Sequence, residues 1–321
     1  MLKESETLIG LKFVGNYVVT KLIADGTFSR IYLTEDEETQ DLVAIKVAKE
    51  MNRTHEPTSP FATRCYNVVE GSVVEVHPST LEVVREQQSA IGYSPSDCYL
   101  SIGHYEERHG FPMYHMEFIT LPTLRTLLTE GSPISVSLLS YICKKLEKIG
   151  VSIVQYHGDL KPEHIFVEDN YSAFISPGRF DPLNCEEGRE LDCAVTTAIY
   201  YPLMKPDDSL AFGIMLWEIA CKQHPLLMPH DAGSSVVGDS VRAWAQRYEN
   251  VGQYFLSPLR NIRRPAELVP GMPPHLEQVL LKGMRLQVGV NGLIETGPGF
   301  ESLSEWRDAL QNLIDRGITH L

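Results

Sequence analysis

The stretch His157-Gly158-Asp159-Leu160-Lys161-Pro162-Glu163-His164 guides the interpretation of the rest of this chain. Ser176-Pro177-Gly178 lies downstream of it, and Val43-Ala44-Ile45-Lys46 lies upstream. A fourth piece, Asp208-Ser209-Leu210-Ala211-Phe212-Gly213, follows later in the chain. Alternating apolar residues that end in a lysine describe many strands with a solvated tip, so no single piece is decisive. The order of all four pieces is far more specific than any one of them.

Composition places the chain among globular proteins that bind proteins or small ligands. It has 321 residues, of which 43% are hydrophobic, enough to bury a large core. The net charge is -14. Nucleic-acid grooves and anionic membrane surfaces bind clustered Lys and Arg, so this charge argues against both as partners.

Cysteine usage and hydropathy predict a cytoplasmic protein without a membrane span. The six cysteines contain no C-x-x-C pair, which disfavours a zinc ribbon and a dense disulfide framework. The first residues lack the basic and then apolar run of a signal peptide. The longest apolar candidate, Leu210 to Cys221, is too short to cross a bilayer and is predicted to be a buried helix.

The N-terminal part has the pattern of an antiparallel sheet. Short β-branched and aromatic runs at Tyr17 to Ile23, Arg30 to Thr34 and Leu42 to Val47 predict three strands. Residues 66–76 predict an extra hairpin that turns at Glu70-Gly71. A helix that carries Glu86 is expected after Ser79.

Beyond residue 119 the apolar period changes from two to 3.6, which predicts helices. One apolar face runs from Leu138 to Ile149, and another runs from Leu303 to Ile314. The last helix opens with Ser302-Leu303-Ser304-Glu305, in which Ser and Glu are expected to cap each other's free backbone N–H groups. The glycine- and proline-rich residues 289–299 are predicted to form a surface loop.

Together the four pieces resemble the protein-kinase motifs V-A-I-K, H-R-D-L-x-x-x-N and D-F-G and the start of the buried central helix. The resemblance implies an α+β, two-lobed protein kinase-like fold. Residues 1–119 would form an N-lobe with a small antiparallel sheet and one main helix, and residues 120–321 a larger helical C-lobe. An inserted hairpin would occupy about residues 52–80 of the N-lobe.

In the N-lobe the resemblance implies an ATP site. Lys46 would contact the α and β phosphates, and Glu86, or less favourably Glu82, would hold it. The phosphate-covering loop keeps only Gly26 of its three glycines, because Ala24 and Ser29 occupy the outer positions. The adenine would be surrounded by apolar and hinge residues: Ile23, Ile31, Ala44, the gatekeeper Met116, Glu117, Phe118, Ile119 and Phe166.

In the C-lobe the resemblance makes Asp159 the acceptor of the substrate hydroxyl proton and Lys161 the residue that neutralises the transferring phosphate. His157 would be structural. Gly158 replaces the Arg that commonly pairs with a phosphorylated activation loop, so switching by that route is not expected. Tyr201-Pro202-Leu203 occupies the A-P-E position, so the Glu of that motif is absent. Gly299 replaces the Arg that usually pairs with that Glu.

Both positions that hold magnesium in the family are changed. His164 replaces the Asn, and Ser176 replaces the D-F-G Asp. Magnesium prefers oxygen ligands, whereas an imidazole nitrogen suits softer metals. Magnesium binding is therefore expected to be weak or absent unless another carboxylate, of which Asp181 is the nearest, substitutes.

Three functions follow from this set of motifs. The first is a pseudokinase that serves as a nucleotide-responsive or scaffolding module, with a protein as its partner. The second is an active atypical Ser/Thr protein kinase that uses Lys46, Asp159 and Lys161. The third is a small-molecule kinase, because His157-Gly158-Asp159 also resembles the H-G-D motif of aminoglycoside and choline kinases, which lack the pattern from Asp208 to Gly213. The hairpin insertion is a partner-binding element in one interpretation and a tolerated surface insertion in the other.

Overall fold

The computed structural model describes residues 8–12, 16–26, 29–49, 65–69, 72–76, 102–108, 111–152, 157–169, 173–175, 200, 207–225, 262–290, 292 and 294–321. They belong to two compact units, one with the described residues up to Thr120 and one with those from Leu121 onward. The helix expected after Ser79, with Glu82 and Glu86, lies outside the described residues. So do Ser176, Pro177, Gly178 and Asp181.

The first unit is built on a five-stranded antiparallel sheet of β1 (Tyr17–Asp25), β2 (Ser29–Asp36), β3 (Leu42–Ala48), β6 (Ile102–Arg108) and β7 (Phe111–Glu117). The strand order is β1-β2-β3-β7-β6. The three strands predicted from β-branched and aromatic runs are confirmed, and each extends one or two residues further at one or both ends. All four pairings in this sheet are antiparallel.

A separate hairpin lies between β3 and β6 in the chain. Its strands, β4 (Cys65–Val69) and β5 (Ser72–Val76), pair with each other, from Cys65 opposite Val76 to Val69 opposite Ser72, and with no other described strand. The extra hairpin expected for residues 66–76 is therefore confirmed. Its predicted turn residues, Glu70 and Gly71, lie outside the described residues.

One face of the five-stranded sheet forms an apolar core. Its buried members are Val19, Tyr32, Ile45, Val47 and Met113, and Leu8, Leu22 and Phe111 pack against them. Side chains alternate between the faces of a strand, so this core takes every second residue of β3. Burial is the main reason that the pKa of the Tyr32 phenol is raised, although the nearby Arg30 opposes this shift.

The second unit is helical. It contains α1 (Leu124–Thr129), α2 (Val136–Ser152), α3 (Asp208–Cys221), α4 (Pro265–Leu268), α5 (Pro274–Gly283) and α6 (Leu303–Asp315). Two short hairpins belong to it, β8 (Ile165–Val167) with β9 (Ala173–Ile175) and β10 (Leu286–Val288) with β11 (Ile294–Thr296). The expectation of a loop over residues 289–299 is wrong for β11, because Ile294 pairs with Val288 and Thr296 with Leu286.

Helix α3 runs through the core of this unit and confirms the buried helix predicted from Leu210 to Cys221. All of its residues except Ser209 are buried. Asp207 caps its first turn by accepting a hydrogen bond from the Leu210 N–H at 3.0 Å. Lys222 ends the helix in the left-handed region with φ 54°, a conformation usually adopted by glycine.

Aromatic rings join α3 to α6. Trp306 is fully buried, and its indole N–H donates to the backbone oxygen of Ser209 at 3.1 Å. Its ring lies 5.1 Å from that of Phe212 and 4.2 Å from that of Phe300, measured between centroids. Such aromatic pairs stabilise a fold beyond the contribution of the surface area that they bury.

Helix α6 begins at the predicted residue, but only one of the two predicted capping hydrogen bonds forms. The Ser302 hydroxyl accepts a hydrogen bond from the Glu305 N–H at 3.2 Å, as expected. The Glu305 carboxylate does not reach back to Ser302 but pairs with Lys282 of α5 at 3.4 Å. A tertiary ion pair has therefore replaced the second half of the capping box.

Candidate functional site

Four of the predicted nucleotide-binding residues of the first unit lie on the sheet face opposite the apolar core. Lys46 lies directly across from Ile31 on β2 and from Tyr114 on β7. Ala44 lies across from Met116. Because paired residues share a face and alternate residues of one strand do too, Ile31, Ala44, Lys46 and Met116 occupy a single face.

Lys46 is buried, with 6% of its surface exposed. An ammonium group on a flexible stem is rarely buried without interactions, and Lys46 has them in this structure. The predicted partner Glu86 is outside the described residues, so the Lys46–Glu86 pairing stays a prediction. Glu117 is exposed at the end of β7, and Phe118 is partly buried.

The β1–β2 turn is closed at its base. The Gly26 N–H donates to the Ser29 backbone oxygen at 2.9 Å. Asp25 beside it accepts from Lys49 at 2.6 Å and from Arg30 at 3.3 Å. The hydrogen bond from Lys49 is the main reason that the pKa of Asp25 is lowered.

Ile23, predicted to line the adenine site, lies at an irregularity of β1, because the register shifts between Leu22 and Ala24. It exposes 42% of its surface. A β-bulge re-aims side chains locally, so the side of the sheet to which Ile23 belongs was not evident from the alternation of residues.

In the second unit, Asp208, the first residue of α3, binds the start of the loop from His157 to His164 through its carboxylate. The Asp208 carboxylate accepts from the backbone N–H of His157 and, at 3.0 Å, from that of Gly158. Gly158 has φ 77°, in the left-handed region. Glycine adopts this conformation without steric cost, which gives a physical reason for glycine at the position where the family commonly has Arg.

Asp159 has no exposed surface, and its carboxylate faces two nitrogen-bearing side chains. Lys161 Nζ lies 3.3 Å from Asp159 Oδ2, and His164 Nδ1 lies 3.5 Å from the same oxygen. The structure thus brings the predicted base, the predicted phosphate-neutralising lysine and the changed metal position together within one loop. His157 is buried, and its Nδ1 accepts from the Asp159 N–H at 3.3 Å, consistent with a structural role.

His164 is bound into the loop by its ring. Its Nδ1 lies 2.8 Å from the backbone oxygen of Asp159, so this nitrogen carries the proton and donates. An imidazole presents no oxygen to a metal. The donor set at this position does not fit magnesium, which prefers oxygen ligands in octahedral geometry. Among the residues that the structure describes, no group of three or more metal-ligating side chains converges.

Phe166 lies on β8 directly after this loop. It pairs with Phe174 of β9 and forms an isolated bridge with Thr123, and it is partly buried. The predicted role below an adenine ring stays a prediction.

Two ionic contacts of this unit were not indicated by the sequence. Arg125 of α1 contacts Glu163 and Glu218, which are 38 and 93 residues away. Arg285 pairs with Asp207, the cap of α3, and its side chain fills the space beside Gly299. A Cβ atom on Gly299 would come within 2.6 Å of Arg285 Cγ, so Arg285 occupies the room that a larger residue at 299 would need.

Helices in the described part of the chain are all too short or too polar to cross a membrane. No protein-family model matches the chain. No curated protein matches it at a significant level either.

Solved structures do resemble it. A cysteine-to-alanine mutant of the Mycobacterium tuberculosis PknI kinase domain is 12% identical and has a TM-score of 0.53, over 95% of this chain and 98% of that chain. The PknI kinase domain itself is 13% identical with a TM-score of 0.52, over 94% of this chain and 98% of that one. At this identity the similarity concerns the fold. The chain therefore has the two-lobed α+β fold of protein kinases, as its motifs predicted.

Proposed function

We propose that this chain is a pseudokinase: a protein kinase-like module that binds nucleotide or a protein partner and transfers phosphate poorly. The observation that carries the proposal is the His164 ring, which donates from Nδ1 to the Asp159 backbone at 2.8 Å where the family has a magnesium-binding amide. Ser176 in place of the D-F-G Asp supports it from the sequence. Losing one preorganised electrostatic group costs about 100- to 1,000-fold in rate, and this site lacks two.

ATP is the proposed ligand, since Lys46 and the apolar residues Ile31, Ala44 and Met116 share one sheet face. Lys46 would bind the phosphates, and the apolar side chains would contact the base. Magnesium would contribute little to this binding.

Thermal unfolding with excess ATP tests the proposal, first with magnesium and then with EDTA. A ligand at about 100 times its dissociation constant stabilises the folded state by ~2.7 kcal/mol. We expect a shift that Lys46→Ala abolishes and that EDTA leaves in place. Absence of any shift would exclude nucleotide binding and leave a module that binds only a protein partner.

The alternative is an active, atypical Ser/Thr protein kinase. The close approach of Lys161 to the buried Asp159, 3.3 Å between Nζ and Oδ2, supports it, because the proton acceptor and the phosphate-neutralising group are both in place. Phosphotransfer by the wild type above the level of Asp159→Asn, with magnesium or manganese, would favour this alternative and defeat the pseudokinase proposal. The contact of Asp208 with the loop disfavours the small-molecule kinase, whose families lack this part of the motif set.

A further inference from the structure

Arg125, in the short helix α1, binds three side chains from three other parts of the second unit. Its Nε donates to Glu163 Oε1 at 2.8 Å, and its Nη1 donates to Glu218 Oε1 at 2.6 Å. Its Nη2 donates to the hydroxyl oxygen of Tyr200 at 2.6 Å and to Glu218 Oε2 at 3.1 Å. The Tyr200 hydroxyl in turn donates to Glu218 Oε2 at 2.6 Å. One guanidinium therefore joins the loop that carries Asp159 to α3 and to Tyr200.

This cluster is shielded from water, so its interactions are strong. The Arg125 side chain is 16% exposed and that of Glu218 is 8% exposed, while Tyr200 is fully buried. Although burial alone would lower the pKa of Arg125, the neighbouring Tyr200, Glu163 and Glu218 raise it overall. Two carboxylates share one guanidinium, so the cation cannot be removed without leaving two partly buried anions.

The position of Arg125 is fixed by a backbone hydrogen bond just past the loop and by the cap of α1. The Val167 N–H, just past the loop, donates to the Pro122 backbone oxygen at 2.8 Å. The Thr123 hydroxyl caps α1 by accepting from the Thr126 N–H. Helix α1 is therefore anchored to β8, and its second residue faces the 3₁₀ turn at Pro162–His164.

Among the described residues, the Glu163 carboxylate has one hydrogen-bond donor, Arg125. Its second oxygen, Oε2, is buried and has no hydrogen-bond partner among the described residues. The hydrogen bond from Arg125 Nε is thus the interaction that orients the Glu163 side chain. Glu163 belongs to the same 3₁₀ turn as His164, and Lys161 caps that turn.

We infer that Arg125 is a positioning residue for the loop His157–His164, and that it acts through Glu163 while Glu218 and Tyr200 hold the guanidinium. This inference deepens the proposed function, because it concerns the same loop. Hydrogen–deuterium exchange of the loop amides tests it without any nucleotide, so its outcome is independent of whether ATP binds.

The decisive variant is Glu163→Ala, which removes the acceptor in the loop and leaves Arg125 with Glu218 and Tyr200. We expect exchange in the segment 160–167, relative to exchange in α3, to rise about tenfold or more, as for the loss of a hydrogen bond to a charged group. Glu163→Gln keeps a carbonyl oxygen that can accept from Nε, and we expect it to restore most of the protection. Unchanged exchange in Glu163→Ala would overturn the inference.

A matched control exists elsewhere in the same unit. Arg264 binds Glu277 through two hydrogen bonds, at 3.1 and 2.8 Å, and joins α4 to α5 instead of the loop. We expect Arg125→Lys, which keeps the charge and loses the planar fork, to open the loop segment selectively. Arg264→Lys should leave it protected. Equal exchange of the loop segment in the two lysine variants would mean that Arg125 stabilises the fold without positioning the loop.

Discussion

Gly213 of α3 and Gly283 of α5 meet backbone to backbone. A Cβ atom at Gly213 would lie 2.7 Å from the carbonyl carbon of Gly283 and 3.1 Å from its Cα. A Cβ atom at Gly283 would in turn collide with the indole ring of Trp306. The close approach of α3 and α5 therefore requires glycine at residue 213, and the packing of Trp306 requires it at residue 283.

Gly213→Ala is expected to destabilise the protein by about 3 kcal/mol, the upper range for overpacking, because the clash is with backbone that cannot rotate away. Urea unfolding measures the change. Gly292→Ala is the control: it has φ 78° and nothing within 4 Å of its added Cβ, so it introduces backbone strain alone, about 1 kcal/mol. Equal losses for the two variants would show that the helices separate easily.

Asp208→Asn should weaken the hydrogen bonds that hold the start of the His157–His164 loop. An amide has one acceptor oxygen, so its NH₂ group would face one of the two backbone N–H groups that Asp208 now accepts. We expect a loss of about 1.5–3 kcal/mol in the free energy of unfolding, the value for hydrogen bonds to charged groups. Asp315→Asn, near the exposed end of α6, is the control and should change stability by less than about 0.5 kcal/mol.

Acid should unfold the protein partly through Glu218. Burial alone would raise its pKa, but His224, Arg125 and Tyr200 lower it overall, below its ordinary value near 4.5. A carboxylate with a depressed folded-state pKa contributes stability above its unfolded-state pKa, and this contribution is lost as the pH falls through the folded-state value. The free energy of unfolding should therefore decline below about pH 4.5.

Glu218→Gln should reduce the steepness of this decline, because the variant has no proton to take up at residue 218. Denaturant unfolding between about pH 3 and 7 gives the slope directly. Glu295→Gln, an exposed carboxylate of β11, serves as the reference substitution. A decline just as steep in Glu218→Gln as in the wild type would assign acid sensitivity to other carboxylates.

Restoring oxygen ligands should restore magnesium dependence. In the double variant His164→Asn with Ser176→Asp, an amide oxygen and a carboxylate replace the imidazole and the hydroxyl. Magnesium prefers such ligands, so we expect magnesium to increase the ATP-induced thermal shift of the variant, but not that of the wild type. His164→Asn alone should give a smaller gain. A thermal shift of the double variant that ignores magnesium would argue against a metal position at residues 164 and 176.

Local patterns predicted several of the elements that the structure describes. The β-branched runs predicted β1 to β3, the turn signal Glu70-Gly71 predicted the β4–β5 hairpin, and the capping serine predicted the start of α6. These features depend on residues a few positions apart. The error over residues 289–299 has the same origin, since the strand β11 is short and lies among glycines and prolines that usually mark loops.

Contacts between distant residues could not be predicted in this way. Nothing near Glu163 in the chain indicates Arg125, and nothing near Glu305 indicates that Lys282 would take its carboxylate. Such partners are brought together when helices pack, and the largely buried charges of Arg125 and Glu163 then need a counter-charge within reach. The packing, in turn, depends on close approaches such as that of Gly213 and Gly283.

The sequence by itself determined the kinase-like fold, the strands β1 to β3, of which β3 carries Lys46, and the loop that carries Asp159, Lys161 and His164. It could do so because ordered motifs and hydrophobic periods are properties of the chain. Only the tertiary structure decided that Ile31, Ala44, Lys46 and Met116 share one sheet face, that Asp208 supports the loop, and that Arg125 joins that loop to α3 and Tyr200. The physical reason is that strand register and the burial of charge are settled between segments that are far apart in the chain.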